Sequence, residues 1–291
     1  MNYVVAVDVG GTTMKGGLIA RDGTILHRER RPTPRAEGPE RVVAAISAFV
    51  AALSASRPAP RPLAVGLAVP GLVTPERAVF SAAFGWRDVP AGAFTDGTLP
   101  VALGHDVRSA GEAELAYGSG AADTLYLPIG TGIAGAVVLS GSLYGGAAGW
   151  AGQIGHIPVY PDGLPCPCGQ RGCPAAYASA AAVAARCGET SAEDVVRRAA
   201  SGDEKAARVW AEAVEALALA LATYTLTLDP AAVVIGGGLS LAGDALVVPL
   251  RARLAARLAF LRPPEVRVSA LGVDAGLLGA GLLGWRAADG R

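Results

Sequence analysis

No apolar run in this chain of 291 residues reaches the ~18 residues of a bilayer-spanning helix. Membrane spanning is therefore not expected. No sign of charge is in excess: Lys plus Arg is 25 and Asp plus Glu is 25, a formal net charge of zero. That balance excludes proteins whose main work is holding a nucleic-acid backbone or an anionic membrane surface. Lysine is nearly absent, with only Lys15 and Lys205 among the 25 basic residues. Alongside abundant Ala, Gly and Arg, this reads as the codon bias of a GC-rich genome. Cysteine is too sparse for a disulfide scaffold, at four residues. The opening Met1-Asn2-Tyr3-Val4-Val5-Ala6-Val7-Asp8 lacks the basic segment and long apolar stretch of a signal peptide, so a cytoplasmic location is expected.

The chain is 52% hydrophobic and 17% charged, a globular composition. Its length points to about two domains. Apolar strands are expected at 3–9, 15–20, 24–30, 63–69, 100–105, 125–129, 136–139, 233–235 and 265–270. Helical periodicity marks 40–54, 107–117, 177–187, 191–200, 203–228, 241–261 and 274–287. Residues 76–98 show no period and read as loop with short pieces, and 145–176 as a loop dense in Gly, Pro and Cys. The expected division is a small α/β lobe over 1–106, joined by a returning helix at about 273–291, and a larger lobe over 107–272.

Three glycine clusters follow strands. Asp8-Val9-Gly10-Gly11-Thr12-Thr13-Met14-Lys15 places an acid at a strand end and two glycines after it. Without a Cβ, backbone amides can approach a phosphate closely and form an anion nest. An acid beside phosphate calls for a cation between them, so Asp8 suggests Mg²⁺. A plain hairpin turn would use the same residues. Gly130-Thr131-Gly132 repeats the pattern. Gly236-Gly237-Gly238 precedes a helix whose N-cap is expected at Ser240. These glycines suit either a planar group such as adenine or close strand–helix packing. None of the three is a Walker loop.

Asp106 lies at a strand end before a helix. There it could accept a proton from a substrate hydroxyl, or simply cap the helix. His156 is followed 10, 12 and 17 residues later by Cys166, Cys168 and Cys173. One imidazole and three thiolates in a Gly- and Pro-rich run suit a closed, structural Zn²⁺ site. Cys187 reads as a core residue and His27 as a solvated strand residue.

The order Asp-x-Gly-Gly-Thr-x-x-Lys, an acid near 106, Gly-Thr-Gly, Gly-x-x-Gly-His with Cys-x-Cys-Gly-x-x-Gly-Cys, and a triple glycine resembles the ROK family of repressors and sugar kinases. The resemblance runs over nearly the whole chain. It implies the two-lobed α/β actin-like ATPase (ribonuclease H-like) fold with an interlobe cleft, ATP and Mg²⁺ as cofactors, structural Zn²⁺, and transfer to the primary hydroxyl of a hexose. It further implies that Asp8, Gly10, Gly11, Thr12 and Lys15 meet the phosphates with Gly130, Thr131 and Gly132. Gly236, Gly237 and Gly238 would lie near adenosine, with Asp106 as catalytic base. His105, Asp106, Gln153 and His156 would contact the sugar, His156 also binding zinc. A homodimer is implied.

Three positions depart from the family pattern: His105 replaces Asn, Gln153 replaces Glu, and Ala175 replaces Glu. All fall on the sugar side, so an amino sugar or cyclitol is the alternative acceptor. A non-catalytic sugar sensor is the third reading. Only seven residues precede Asp8, too few for the DNA-binding segment of family repressors.

Overall fold

A computed structural model of the chain describes residues 1–57, 60–118 and 121–290. Arg291, at the end of the expected returning segment, lies outside them. In chain order the first elements are β1 (Tyr3–Val9), β2 (Thr13–Ala20), β3 (Ile25–Pro32), α1 (Pro39–Ala55), β4 (Val65–Val69), β5 (Leu72–Thr74), β6 (Arg77–Ser81), β7 (Trp86–Pro90), β8 (Val101–His105) and α2 (Asp106–Tyr117). There follow β9 (Thr124–Pro128), β10 (Ala136–Leu139), β11 (Ser142–Tyr144), α3 (Pro174–Ala178), α4 (Ala180–Cys187), α5 (Ala192–Ala200), α6 (Glu204–Leu228), β12 (Ala232–Gly236), α7 (Asp244–Arg257), β13 (Glu265–Val268) and α8 (Ala275–Ala288).

Two compact units result, Met1–Tyr117 with Asp274–Arg291, and Gly118–Val273. The boundary falls after α2, not near 107 as expected from sequence. Packing explains the difference. α2 lies against α8 so closely that a Cβ on Gly279 would fall 2.1 Å from the Ser109 carbonyl oxygen. α8 itself is held by small residues: a Cβ on Gly66 of β4 would reach the Ala280 carbonyl at 1.9 Å. Glycine weakens a helix by about 1 kcal/mol relative to alanine. Here it allows α8 to lie directly on the sheet.

The first unit carries a five-stranded sheet in the order β3-β2-β1-β4-β8, the second one in the order β11-β10-β9-β12-β13. In each, the first three strands form an antiparallel meander and the last two add in parallel. The two units thus share one topology. The Gly10-Gly11 and Gly130–Gly132 turns occupy the same place in it, between first and second strands. The triple glycine follows the fourth strand of its unit, and Asp106 follows the fifth strand of its own. Buried apolar residues such as Val5, Val7, Ile46, Phe49 and Leu67 build one core. Leu125, Leu127, Leu217, Leu221, Val233 and Ile235 belong to the other.

Three expectations need correction. Residues 72–90 form a separate three-stranded antiparallel sheet, β5-β6-β7. These strands are three to five residues long and mix buried with exposed positions, which leaves no legible alternation. Trp86 anchors them between Phe84 and Phe94. The helix expected at 177–187 is two helices, because Ser179 leaves helical geometry and accepts a bond from Ala182 N to start α4. The helix expected from 241 begins at Asp244 behind Gly243. Ser240 is not its cap; its hydroxyl donates to the Gly237 carbonyl at 2.7 Å. Among the described residues, one helix, α6, has the length and composition of a membrane span. Its apolar residues Val214, Leu217 and Leu221 are buried in the second core, the arrangement of a core helix.

Candidate functional site

In the first unit, β1, β4 and β8 run parallel, and their carboxyl ends carry Asp8, Gly71 and His105-Asp106. That edge is where open α/β sheets place ligands. Asp8 sits under the start of α8, where a Cβ on Gly276 would come within 2.3 Å of its Oδ2. The positive end of a helix dipole favours a carboxylate there. Lys15 Nζ approaches the same Oδ2 at 3.6 Å. Burial nevertheless pushes Asp8 up to about 6; Lys15 opposes the rise and the Asp106 carboxylate adds to it. Gly10 closes the turn by donating to the Thr13 carbonyl at 3.1 Å. Gly11 faces open space, with nothing within 4 Å of a Cβ built on it. Its own fold does not require a glycine there. The amide face beside Thr12 remains approachable.

Asp106 begins α2. Its Oδ1 accepts from Val107 N at 2.8 Å, while Oδ2 has no partner among the described residues. Burial pushes this carboxyl up to about 6, against the Val107 bond and the Arg108 charge. The side chain keeps 27% of its surface open, enough for a hydroxyl to reach Oδ2. His105 Nδ1 lies 3.2 Å from Oδ1. Burial, then the Arg108 charge, holds that imidazole down at about 4, so it is neutral at pH 7.

In the second unit, Gly130 N donates to the Gly132 carbonyl at 2.9 Å, and the Gly130 carbonyl accepts from Ala180 N at 2.8 Å. This ties the turn to the start of α4. Both Gly130 and Gly132 are sterically open around Thr131, as is Gly238. Gly236 and Gly237 are not: side-chain atoms there would strike Tyr126 and the Ile129 backbone. The triple glycine therefore divides, two serving strand packing and one facing space. Gly238 lines a cavity of about 560 Å³ with Ala180, Glu193, Val196, Leu239 and Leu241. Sequence reasoning missed the α5 wall of this cavity. Its one signal is Ser191 three residues before Asp194, a helix start in which Ser191 Oγ accepts from Asp194 N at 3.1 Å.

Gln153 precedes a single 3₁₀ turn, Ile154–His156. The ligand atoms of His156, Cys166, Cys168 and Cys173 all lie within 4.8 Å of one another. Cys168 and Cys173 sulfurs are 3.7 Å apart, and Cys166 Sγ is 3.7 Å from His156 Nδ1. A tetrahedral ion with metal–sulfur bonds of ~2.3 Å has edges of roughly this length. The set fits zinc in donor chemistry and spacing. Burial and the neighbouring sulfurs push the Cys173 thiol up to about 12, a penalty a bound dication would relieve. The local turn is fixed by Cys166 N donating to the Gln170 carbonyl at 2.9 Å. Gly172 has φ of 69°, and a Cβ there would fall 1.6 Å from the Tyr160 carbonyl. Ala175 follows on α3, with its methyl against the second core. Cys187 is a buried core residue.

The chain is similar over nearly its whole length to characterised proteins. The glucokinase of Halalkalibacterium halodurans is 33% identical over 97% of this chain and 94% of its own length. The N-acetylmannosamine kinase of Shigella flexneri is 33% identical over 96% of this chain and 97% of its own. The crystal structure of a ROK family glucokinase from Streptomyces griseus with glucose and AMPPNP matches at a TM-score of 0.85 and 28% identity. It covers 98% of this chain and 100% of that one. The two five-stranded sheets are those of the actin-like ATPase fold. The ROK family profile matches residues 4–286, and the chain belongs to the ROK family.

Proposed function

We propose that this sugar kinase transfers the terminal phosphoryl group of ATP to the primary hydroxyl of a hexose. One observation carries the mechanism. Asp106 stands at a strand's carboxyl end with Oδ1 bonded by backbone and Oδ2 uncommitted. Oδ2 accepts the hydroxyl proton as the hydroxyl oxygen attacks phosphorus and ADP leaves. Little covalent work remains for the protein beyond positioning and charge stabilisation. Amides around Gly10, Gly11 and Thr12, with Lys15, and those of Gly130, Thr131 and Gly132 hold phosphate oxygens. The nucleoside enters the cavity beside Gly238, with Gly236 and Gly237 setting the strand end behind it. Asp8 fits Mg²⁺ as a single carboxylate under a helix start, and the ion when bound neutralises charge on the phosphates. His156, Cys166, Cys168 and Cys173 hold a structural Zn²⁺. His105, Gln153 and His156 face the sugar. A cytoplasmic homodimer is the assembly the family resemblance supports; light scattering at twice the 29.2 kDa chain mass is the expected readout.

The pH dependence follows from Asp106. A base with a pKa of about 6 is competent above that pH and lost below it. The kcat/KM profile of the free enzyme should therefore fall on the acid side with a limb near 6. A limb near 4, the ordinary carboxylate range, would show that Asp106 is not buried as described.

The acceptor is tested by ADP release across glucose, mannose, N-acetylated and amino hexoses, and cyclitols. An unmodified hexose is expected to give the highest kcat/KM. The second reading, a modified sugar, is favoured by Gln153 and Ala175 and by the similarity to an N-acetylmannosamine kinase. It wins if an N-acetylated or amino sugar or a cyclitol leads. No ADP release with any acceptor would end the kinase reading.

A further inference from the structure

The imidazole beside the base is unusually placed. His105 Nδ1 is buried, lies 3.2 Å from Asp106 Oδ1, and has no hydrogen-bonding partner in line with it. The distance is that of a weak N–H···O bond, but the alignment is not made. A buried donor left unbonded is destabilising, and catalytic hydrogen bonds often align only once substrate is present. Oδ1 already accepts from Val107 N at 2.8 Å. The same carboxylate thus has one oxygen bonded by the backbone with an unaligned imidazole nitrogen beside it, and one oxygen with no partner among the described residues.

We propose, resting on the kinase reading above, that His105 is a positioning residue. Its Nδ1–H closes on Oδ1 of Asp106 when substrate binds, fixing the carboxylate so that Oδ2 alone receives the hydroxyl proton. The reaction then needs no rotation of the carboxylate in its course. The charge of the base is supported by two donors on the oxygen that does not react. Tautomer follows from the geometry. The proton must sit on Nδ1, which leaves Nε2 as an acceptor facing away from the carboxylate. The residue before it, Gly104, leaves no room for a side chain, since a Cβ there would collide with Leu283 and with Ser109 Oγ.

The other charged groups on the elements around this strand end are few. Asp8 on β1 pairs with Lys15 on β2, Arg108 is on α2 itself, and Asp274 at the start of α8 pairs with Arg28 at 2.7 Å. β4 and β5 bring none, and Glu76 beyond β5 is exposed. Removing the imidazole changes none of these charges, so a shift in the acid limb reports the lost hydrogen bond.

The test compares His105→Leu, which deletes the donor, with His105→Asn, whose amide can still donate. The acid limb of kcat at saturating sugar, which reports the enzyme–substrate complex, should move up by about one pH unit in His105→Leu. It should stay within about 0.3 units of wild type in His105→Asn, with KM for ATP unchanged in both. A limb that coincides with wild type in His105→Leu, or one that moves equally in both variants, overturns the proposal. Nitrogen NMR of His105 in the wild-type enzyme provides a second readout, needing neither variant nor activity. The Nδ1–H tautomer is expected, and an Nε2–H tautomer in the sugar-bound state overturns the proposal. Should the wild type release no ADP with any acceptor, the kinase reading fails, and the NMR tautomer still decides the His105–Asp106 contact.

Discussion

Asp106→Asn is expected to lower kcat by ~10²–10⁴-fold, the range a positioned general base supplies, while leaving the fold intact. The variant keeps the oxygen that accepts from Val107 N, so the start of α2 is preserved. It loses only the capacity to take a proton. Stability should move the opposite way. Folding raises the Asp106 pKa from 3.8 to about 6. Between those values the folded chain binds more protons than the unfolded one, so this group makes stability fall as pH rises. The deficit is complete above about 6 and absent below 3.8. At pH 8 Asp106→Asn should melt no lower than wild type, and higher by roughly 2–4 °C if removal of the buried charge is worth ~1 kcal/mol. The 27% of side-chain surface left open to solvent keeps that gain small. At pH 3.5 the difference should vanish. Near-normal turnover in the variant would remove Asp106 as the base, whatever the melting data show.

Loss of the metal should be the largest stability effect. The purified chain is expected to carry zinc at about 1:1, measured by elemental analysis. Cys173→Ser and Cys168→Ser should both release it. Ligation free energy in a structural site is folding free energy. Here it would hold the turn that delivers Cys173 to the N-terminus of α3, which packs on α6 and the second core. A fall in Tm of about 5 °C or more is expected, and the same fall in wild type treated with chelator. Cys168 is the sharper test, because it is exposed whereas Cys173 is fully buried. Cys168→Ser should cost little by packing alone. An unchanged metal content and unchanged melting in Cys168→Ser would reject the zinc site. Sugar turnover should drop with the metal too, since His156 belongs to both the ligand set and the proposed sugar contacts.

The sequence carried much of this at the level of local pattern. Strands β1, β4, β9 and β12 are short, mostly buried apolar runs closed by Gly or Pro, and such runs read clearly. α6 has 25 residues of helical spacing without a proline. The sheet β5-β6-β7 was not legible, because its strands are too short to show a period. Its order depends on Trp86, which packs between Phe84 and Phe94 and donates from its indole nitrogen to the carbonyl of the distant Pro39 at 3.2 Å. The break at Ser179 was also hidden, since apolar helical spacing continues across it and only the cap geometry interrupts it. The α5 wall of the cavity beside Gly238 lies some 45 residues earlier in the chain, and no spacing rule joins the two.

By itself the sequence determined which residue types stand at the ends of which strands: Asp8, the glycine turns, His105 and Asp106, and the four potential zinc ligands. These are local facts, set by turn chemistry and by the two-residue and 3.6-residue periods of the backbone. Tertiary structure decided what local pattern cannot carry. It revealed that both sheets share one strand order, so that two glycine turns are equivalent. It placed α8 and α2 on the first unit through glycine contacts. It separated glycines that packing demands, such as Gly237, from Gly11, Gly130, Gly132 and Gly238, which face open space. It also set the burial that lifts Asp8 and Asp106 to about 6. Burial and close approach are properties of distant segments brought together, and no window of sequence contains them.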